Sequence, residues 1–473
     1  MGKDEGDKMN GRVSLVGAGP GNPELITVLG KRRLDEADVV VYDHLVSPAL
    51  LSLIHAKKIN VGKLPHHHKF SQYEINELLV QLAQEGKQVV RLKAGDPYVF
   101  GRGGEEGQYL KKQKIDFEVI PGITSAIAGL GAAGIPITHR DYASSFHIIT
   151  GHKKSDGNGL DWNNIARQEG TLVFLMGMEE LENIASNLIE NGKSPQTPTA
   201  VIQWATHWKQ KTVRSNLANI DLAVKRAGIS SPALIVVGQV VKLMTELAPD
   251  LPLEGKHLLI PFKKNSKLFK RLQDKGASVD FFKRSQLTPL NFTLPSFKQS
   301  KGLIIPNIKV FDCFSARLVE AGKDYRSLQG WTLIAMNQMV ANKLKQRGII
   351  VDECFNGSKN YPNSTLMLNT KNSHNLEELQ NRKFKTLTVC QKESIRQDIE
   401  FDNFHAVIIP STASLEDLVT GCNDDQLQRL QSLKIFAMGK LVAEGCFQAG
   451  LKNIVSVQPS INGVISAVVE EIE

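Results

Sequence analysis

Val13-Ser14-Leu15-Val16-Gly17-Ala18-Gly19-Pro20-Gly21-Asn22 is an apolar strand that runs straight into a glycine turn. Ile26, Leu29, Leu34 and Ala37 follow at helical spacing, so the stretch reads as strand, turn and helix, the opening unit of an α/β fold. A dinucleotide reading of the turn fails. The Rossmann fingerprint needs a third glycine where Asn22 stands, and Pro20 removes a backbone donor where a pyrophosphate would want one. A tight loop without a phosphate cradle suits a ligand that carries no phosphate, although Gly-Pro-Gly alone is more often a plain turn.

The same alternation continues outward. Val39-Val40-Val41-Tyr42 is a second strand ending at Asp43, and further strands fall at Val89–Leu92, Glu118–Ile120, His147–Ile149, Leu172–Leu175 and Leu234–Val237. Pro249 and Pro252 mark a linker over 248–255, after which a second α/β pattern starts at Leu258-Leu259-Ile260-Pro261 and runs through Ile435-Phe436-Ala437. The stretch around Pro289 and Pro295 reads as a crossing between two lobes. With 473 residues the chain exceeds one compact core. The organisation expected is a disordered tail over 1–10, a first domain over 11–247, the linker, and a second domain over 256–473.

Bulk chemistry narrows the function classes. No apolar run approaches the roughly 20 residues of a membrane helix, and the polar opening is not a secretory signal. The five cysteines form no C-x-x-C pair, which fits a reducing cytoplasm and suggests neither a zinc site nor a disulfide framework. The net charge of +8 is uneven: through Glu254 there are 28 Lys+Arg against 28 Asp+Glu, and beyond it 29 against 21. A basic half can attract a polyanionic small molecule, nucleic acid or a membrane, but is more often a solvated surface. His66-His67-His68 tempts a metal assignment, yet adjacent histidines diverge, so no metal is expected and His68 is at most a substrate contact.

The least ordinary segment is Arg91-Leu92-Lys93-Ala94-Gly95-Asp96-Pro97, continuing to Phe100-Gly101-Arg102-Gly103-Gly104-Glu105-Glu106. A strand that ends in small residues lets a ligand lie against bare backbone. Asp96 can serve a ribose or an amino group, and Arg102 can meet carboxylates, with a surface ion pair as its ordinary alternative. Pro121-Gly122-Ile123-Thr124-Ser125-Ala126 then places hydroxyls at a helix start, and Gly134-Ile135-Pro136-Ile137-Thr138-His139-Arg140 follows.

In this order the motifs resemble the uroporphyrinogen-III C-methyltransferases of the tetrapyrrole methylase family. Tyr42-Asp43-His44-Leu45-Val46-Ser47, Val61-Gly62-Lys63, Phe174-Leu175-Met176-Gly177-Met178, Thr197-Pro198 and Ser231-Pro232-Ala233-Leu234 extend the match over Gly11 to Leu247. The resemblance implies a two-lobed α/β methylase fold, usually a homodimer, that uses S-adenosylmethionine and releases S-adenosylhomocysteine. By resemblance the cofactor is touched by Pro20, Ala94, Gly95, Asp96, Val99, Thr124, Ser125, Met176 and Ala205. Asp43 matches the family's proton acceptor and Lys63 its proton donor, with a helix cap and a surface lysine as the plain alternatives. Arg102, His68 and Arg140 are candidate substrate contacts. Ala94 and Ala205 depart from the family's usual glycines, each adding one methyl group.

From about Lys256 the chain resembles uroporphyrinogen-III synthase, a second two-lobed α/β fold, best at Ile435–Gly439, Ala443-Glu444 and Ala449-Gly450-Leu451. Asn307-Ile308-Lys309 stands where that family has Ser-Ala-Asn, Asn337 replaces a glycine, Val340 and Val442 replace threonines, and Cys390 replaces a tyrosine. Lost hydroxyls remove donors, so this half is either a synthase supplying its product to the methylase or a module that kept the fold and lost the chemistry. The first half is expected to methylate uroporphyrinogen III twice, giving precorrin-2 by way of precorrin-1. Another tetrapyrrole is the nearest alternative. Ribosomal RNA as substrate is disfavoured because the charge excess lies in the other half and no aromatic stacking platform is visible.

Overall fold

The computed structural model describes residues 11–62, 70–151, 159–263, 265–297, 302–371 and 384–472. The expected tail over 1–10, Lys63 and the histidine run containing His68 lie outside the described residues. The first sheet is made of β1 (Arg12–Gly17), β2 (Val39–Tyr42), β3 (Lys57–Asn60), β4 (Gln88–Lys93) and β5 (Phe117–Ile120), ordered β3-β2-β4-β1-β5. All its pairings are parallel. A parallel sheet is covered on both faces, which is why Val13, Leu15 and Val16 are all buried instead of alternating. Gly17 pairs with Lys93, so the ends of β1 and β4 lie side by side.

The second sheet contains β6 (Phe146–Thr150), β7 (Thr171–Leu175), β8 (Pro198–Gln203), β9 (Lys211–Asn216) and β10 (Ala233–Val237), ordered β6-β7-β10-β8-β9. Only β6 and β7 run parallel; the other pairs are antiparallel. The helix Ser125–Ala132 packs Ala126 and Leu130 with Ile202, Leu234 and Val236 of this sheet. It begins just beyond β5, so the segment carrying the Thr124 and Ser125 hydroxyls also joins the two lobes.

The remaining strands are β11 (His257–Pro261), β12 (Ser278–Phe282), β13 (Gln286–Pro289), β14 (Gly302–Ile305), β15 (Thr332–Ala335), β16 (Glu353–Cys354), β17 (Thr365–Lys371), β18 (Lys385–Glu393), β19 (Ala406–Ile409), β20 (Lys434–Met438) and β21 (Ile454–Val457). They form a parallel sheet β12-β11-β19-β20-β21 and a mixed sheet β13-β18-β17-β14-β15-β16. The chain crosses to the mixed sheet through β13, its antiparallel edge, and returns at β19. The architecture is therefore a two-lobed α/β unit followed by a second two-lobed α/β unit.

Residues 248–256 connect them without helix or strand, but they are anchored. Leu253 is fully buried, and its N–H donates to the Lys275 carbonyl at 2.9 Å. An aromatic stack crosses the same junction: Trp208 lies on His257 at 4.8 Å, and His257 on Phe404 at 4.1 Å. His257 is fixed at both ring nitrogens, by the Asn403 carbonyl at 2.8 Å and the Asp280 carboxylate at 3.2 Å.

His207 sits beside this stack. Burial, then the neighbouring His257, lowers its pKa from 6.5 to about 4. Its Nδ1 accepts from the Lys209 N–H at 3.2 Å, a bond that protonation would cost. Between pH 6.5 and 4 the unfolded chain therefore binds a proton at this position that the folded chain refuses. His207 thus withdraws on the order of 1–3 kcal/mol of stability as pH falls through that window. His207→Asn should flatten the corresponding part of a melting-temperature-against-pH curve. An identical acid slope in the variant would assign the loss to the carboxylates instead.

Candidate active site

Three turns meet at the carboxyl ends of β1, β4 and β5. Gly19 and Gly95 bridge through mutual backbone bonds of 3.2 and 2.8 Å, both at positive φ (+77° and +67°). A Cβ on Gly17 would lie 2.6 Å from the Gly95 carbonyl oxygen, and one on Gly122 would collide with the same oxygen. These turns are glycine because the three backbones touch. Asp96 ties them together, its carboxylate accepting from the N–H groups of Gly122 at 3.0 Å and Tyr98 at 2.8 Å. At the start of the helix Val28–Glu36 one backbone donor is taken internally, Gly30 N–H donating to the Thr27 hydroxyl at 3.1 Å.

Above this floor opens a cavity whose wall contains Pro20, Ala94, Gly95, Asp96, Val99, Thr124, Ser125, Met176 and Ala205, all nine residues expected around a cofactor. Thr124 caps its helix, accepting from Ala126 N–H at 3.3 Å, which fixes the hydroxyl at the cavity edge. The methyl group of Ala205 is turned against Gly129 of that helix, where a second Cβ would approach it to 2.7 Å. The extra atom is absorbed by a glycine. Phe100, Met176 and Trp204, also on the wall, hold φ of +54°, +54° and +48°. Strained non-glycine backbone gathered at one cleft marks a built site.

Asp43 follows β2 and does not cap the next helix, whose N-cap is Ser47. Its carboxylate is gripped by Arg91, with Lys93 3.9 Å away. Behind it Glu106 is fully buried, accepting from Arg91 at 3.2 Å, Lys93 at 2.8 Å and Gln72 at 3.1 Å. Burial, then the charge of Arg91, pushes the Lys93 ammonium below its ordinary pKa. Of this four-membered network of two cations and two carboxylates, the sequence singles out Asp43 as a site residue and gives Arg91, Lys93 and Glu106 no role of their own. The signal was there: Arg91 and Lys93 share one face of a strand whose other residues after Gln88 are Val and Leu.

Three expected residues are not on the cavity wall. Asp43 is one position from it, since His44 and Leu45 line the cavity. Arg102, at φ +59°, is paired with Glu105 at 2.6 Å, and Arg140 is exposed. The structure thus brings the cofactor candidates together without Arg102 or Arg140.

Residues 12–221 match the family of Tetrapyrrole (Corrin/Porphyrin) Methylases. A Bacillus subtilis protein named uroporphyrinogen-III C-methyltransferase is 38% identical over 430 residues, 87% of this chain and 88% of that one. The chain belongs to the tetrapyrrole methylase family. A Methanosarcina barkeri protein, named an S-adenosyl-L-methionine-dependent uroporphyrinogen III methyltransferase, is 51% identical over 237 residues, 49% of this chain and 93% of its own. A crystal structure of uroporphyrin-III-C-methyltransferase from Thermus thermophilus is 40% identical, covers 51% of this chain and 97% of that one, and has a TM-score of 0.44.

In this tetrapyrrole methylase the buried network makes a direct prediction. Arg91→Met leaves Glu106 and Asp43 short of a cation in a site where Arg91 is 2% exposed. Breaking a buried pair from one side costs about 3–5 kcal/mol. Denaturant unfolding should show that loss, and a variant as stable as the parent would mean that the network is solvated.

Proposed function

We propose that this chain transfers methyl groups from S-adenosylmethionine to ring carbons of uroporphyrinogen III, twice, giving precorrin-2 by way of precorrin-1. The observation that carries the reading is the convergence of all nine expected cofactor residues on one cavity with a bare-backbone floor. Its donor set suits this ligand. Gly95 leaves open space where a side chain would stand, its nearest neighbour to an added Cβ being Thr124 Cα at 3.8 Å. Asp96 retains lone pairs for a ribose or an ammonium beyond the two backbone N–H groups it accepts from. The names of the Bacillus subtilis and Methanosarcina barkeri relatives support the substrate.

When bound, S-adenosylmethionine supplies a methyl group already activated on a sulfonium sulfur. The protein's work is alignment and removal of a proton. Asp43 is the proton acceptor, aimed by Arg91 and backed by Lys93. Lys63 is the proton donor by resemblance. The working form is a cytoplasmic homodimer through the methylase half, and its product serves sirohaem or cobalamin synthesis. Mass spectrometry under anaerobic conditions should find two methyl groups added to uroporphyrinogen III. Asp43→Asn should lower kcat by about 10²-fold or more while S-adenosylhomocysteine affinity stays level. Near-normal turnover in that variant would remove Asp43 from the mechanism.

The second half is proposed to close hydroxymethylbilane to uroporphyrinogen III, upstream of the methylase. Its support is a lysine-bearing cleft between the third and fourth sheets, with Lys309, Lys343 and Lys392 on the wall. The full chain given hydroxymethylbilane should release the ring-inverted isomer faster than buffer does. Only the uninverted isomer, at the spontaneous rate, would favour a non-catalytic module.

A further inference from the structure

The cavity over the glycine floor does not end with the methylase half. Its wall continues across the junction onto β11 and β12 and into the cleft between the third and fourth sheets, for a volume of about 2560 Å³. That is well above the roughly 300–1,000 Å³ of a small-molecule pocket. Nine Lys or Arg and six Asp or Glu side chains line it. Most of the carboxylates are engaged. Asp96 holds two backbone N–H groups, Asp280 holds His257, and Glu416 and Asp417 hold Lys392 at 2.7 and 3.1 Å. Glu400 accepts from Asn403 at 2.9 Å, leaving Asp398.

Several lysines, by contrast, have no carboxylate within ion-pair reach among the described residues. Two of them line the cavity from opposite halves, Lys58 and Lys283. Lys58 stands on β3 of the methylase, donating to the Ile54 carbonyl at 2.7 Å, and Lys283 directly follows β12. The two halves touch beside them, where the methylase helix Pro48–Ser52 packs on β12. Burial, then the charge of Lys283, lowers the pKa of Lys58. Two ammonium groups brought together without an anion are mutually destabilising, and a carboxylate placed between them reverses the sign. Lys209 and Lys263 line the same passage, one from each half.

We propose that Lys58 and Lys283 form a carboxylate-binding site at the junction of the two halves, which holds a polycarboxylate tetrapyrrole on its way between the second half's cleft and the methylase cavity. The ligand class rests on the proposed function; the site rests on two lysines without carboxylate partners, one from each half, on the wall of one continuous cavity.

The probe is uroporphyrin III, the stable oxidised relative of the proposed substrate, titrated into the full chain at low salt with its fluorescence as readout. Lys58→Gln/Lys283→Gln should weaken binding about tenfold or more, as loss of charge-assisted hydrogen bonds does. Lys58→Arg/Lys283→Arg should stay within about threefold. S-adenosylhomocysteine affinity, set by the distant glycine floor, should be the same in all three and reports intact folding. If the double Gln variant does not fold, exposed Lys283→Gln alone carries the test. Parental uroporphyrin affinity in a Gln variant that still binds S-adenosylhomocysteine would overturn the site. A parent chain that loses porphyrin affinity on these substitutions yet methylates nothing would overturn the proposed function and leave the junction site standing.

Discussion

Backbone contact between Gly17, Gly95 and Gly122 is the constraint on which the rest of the first unit depends. Three parallel strands deliver their ends to one place, and the loops that leave them cross with no side chain between. Only glycine permits that approach, and two bridging residues also need positive φ. Everything functional hangs from this knot. The loop after β4 supplies Ala94, Gly95 and Asp96, while the loop after β5 supplies Thr124 and the helix that carries the second lobe. A shift in the knot would therefore move the cavity floor and the lobe orientation together.

The buried charge network beside it follows from the same strand order. β4 lies between β2 and β1, so polar side chains near its end are forced into the interior. Arg91 and Lys93 are tolerable there because Glu106 answers both, and the surplus positive charge is aimed at Asp43. Buried pairs seldom add stability over an apolar core. Their value here is geometric: a carboxylate held by a rigid guanidinium on a central strand cannot wander. Glu106 keeps one buried oxygen, Oε2, without a hydrogen-bond partner among the described residues, a cost carried by the site instead of the core.

How much of this the sequence disclosed depended on where each feature was encoded. β1, β2, β4 and β10 each carry a core of consecutive or near-consecutive apolar residues and were plain, as was the glycine floor, because those signals are local. β3 and β9, Lys57-Lys58-Ile59-Asn60 and Lys211–Asn216, are polar edge strands, and Pro198 at the start of β8 masked a central one. The cofactor candidates were legible through motif order. Arg91 and Lys93 were read only as part of a stretch, since their acidic partners are 15 and 48 residues from Arg91 in sequence. The approach of Lys58 and Lys283 to one cavity had no local signal at all, because it exists only once two units dock.

The second unit shows why a substitution must be located before it is interpreted. Cys390, which replaces an expected tyrosine, is wholly buried in β18 within an apolar cluster that includes Cys313. It is not on the cavity wall itself, and its sulfur lies 3.5 Å from the hydroxyl of Thr370, which is. Asn307 and Asn337 instead cap helices, their side-chain oxygens accepting from Val310 and Val340 N–H at 3.0 Å each. Each cap satisfies one backbone N–H at its helix start. Lys309 and Lys343, on the same two helices, remain on the cavity wall. Recognition by lysine charge tolerates a mobile ligand and weakens with salt. The charge that these two helices present to the cavity is therefore lysine on flexible stems.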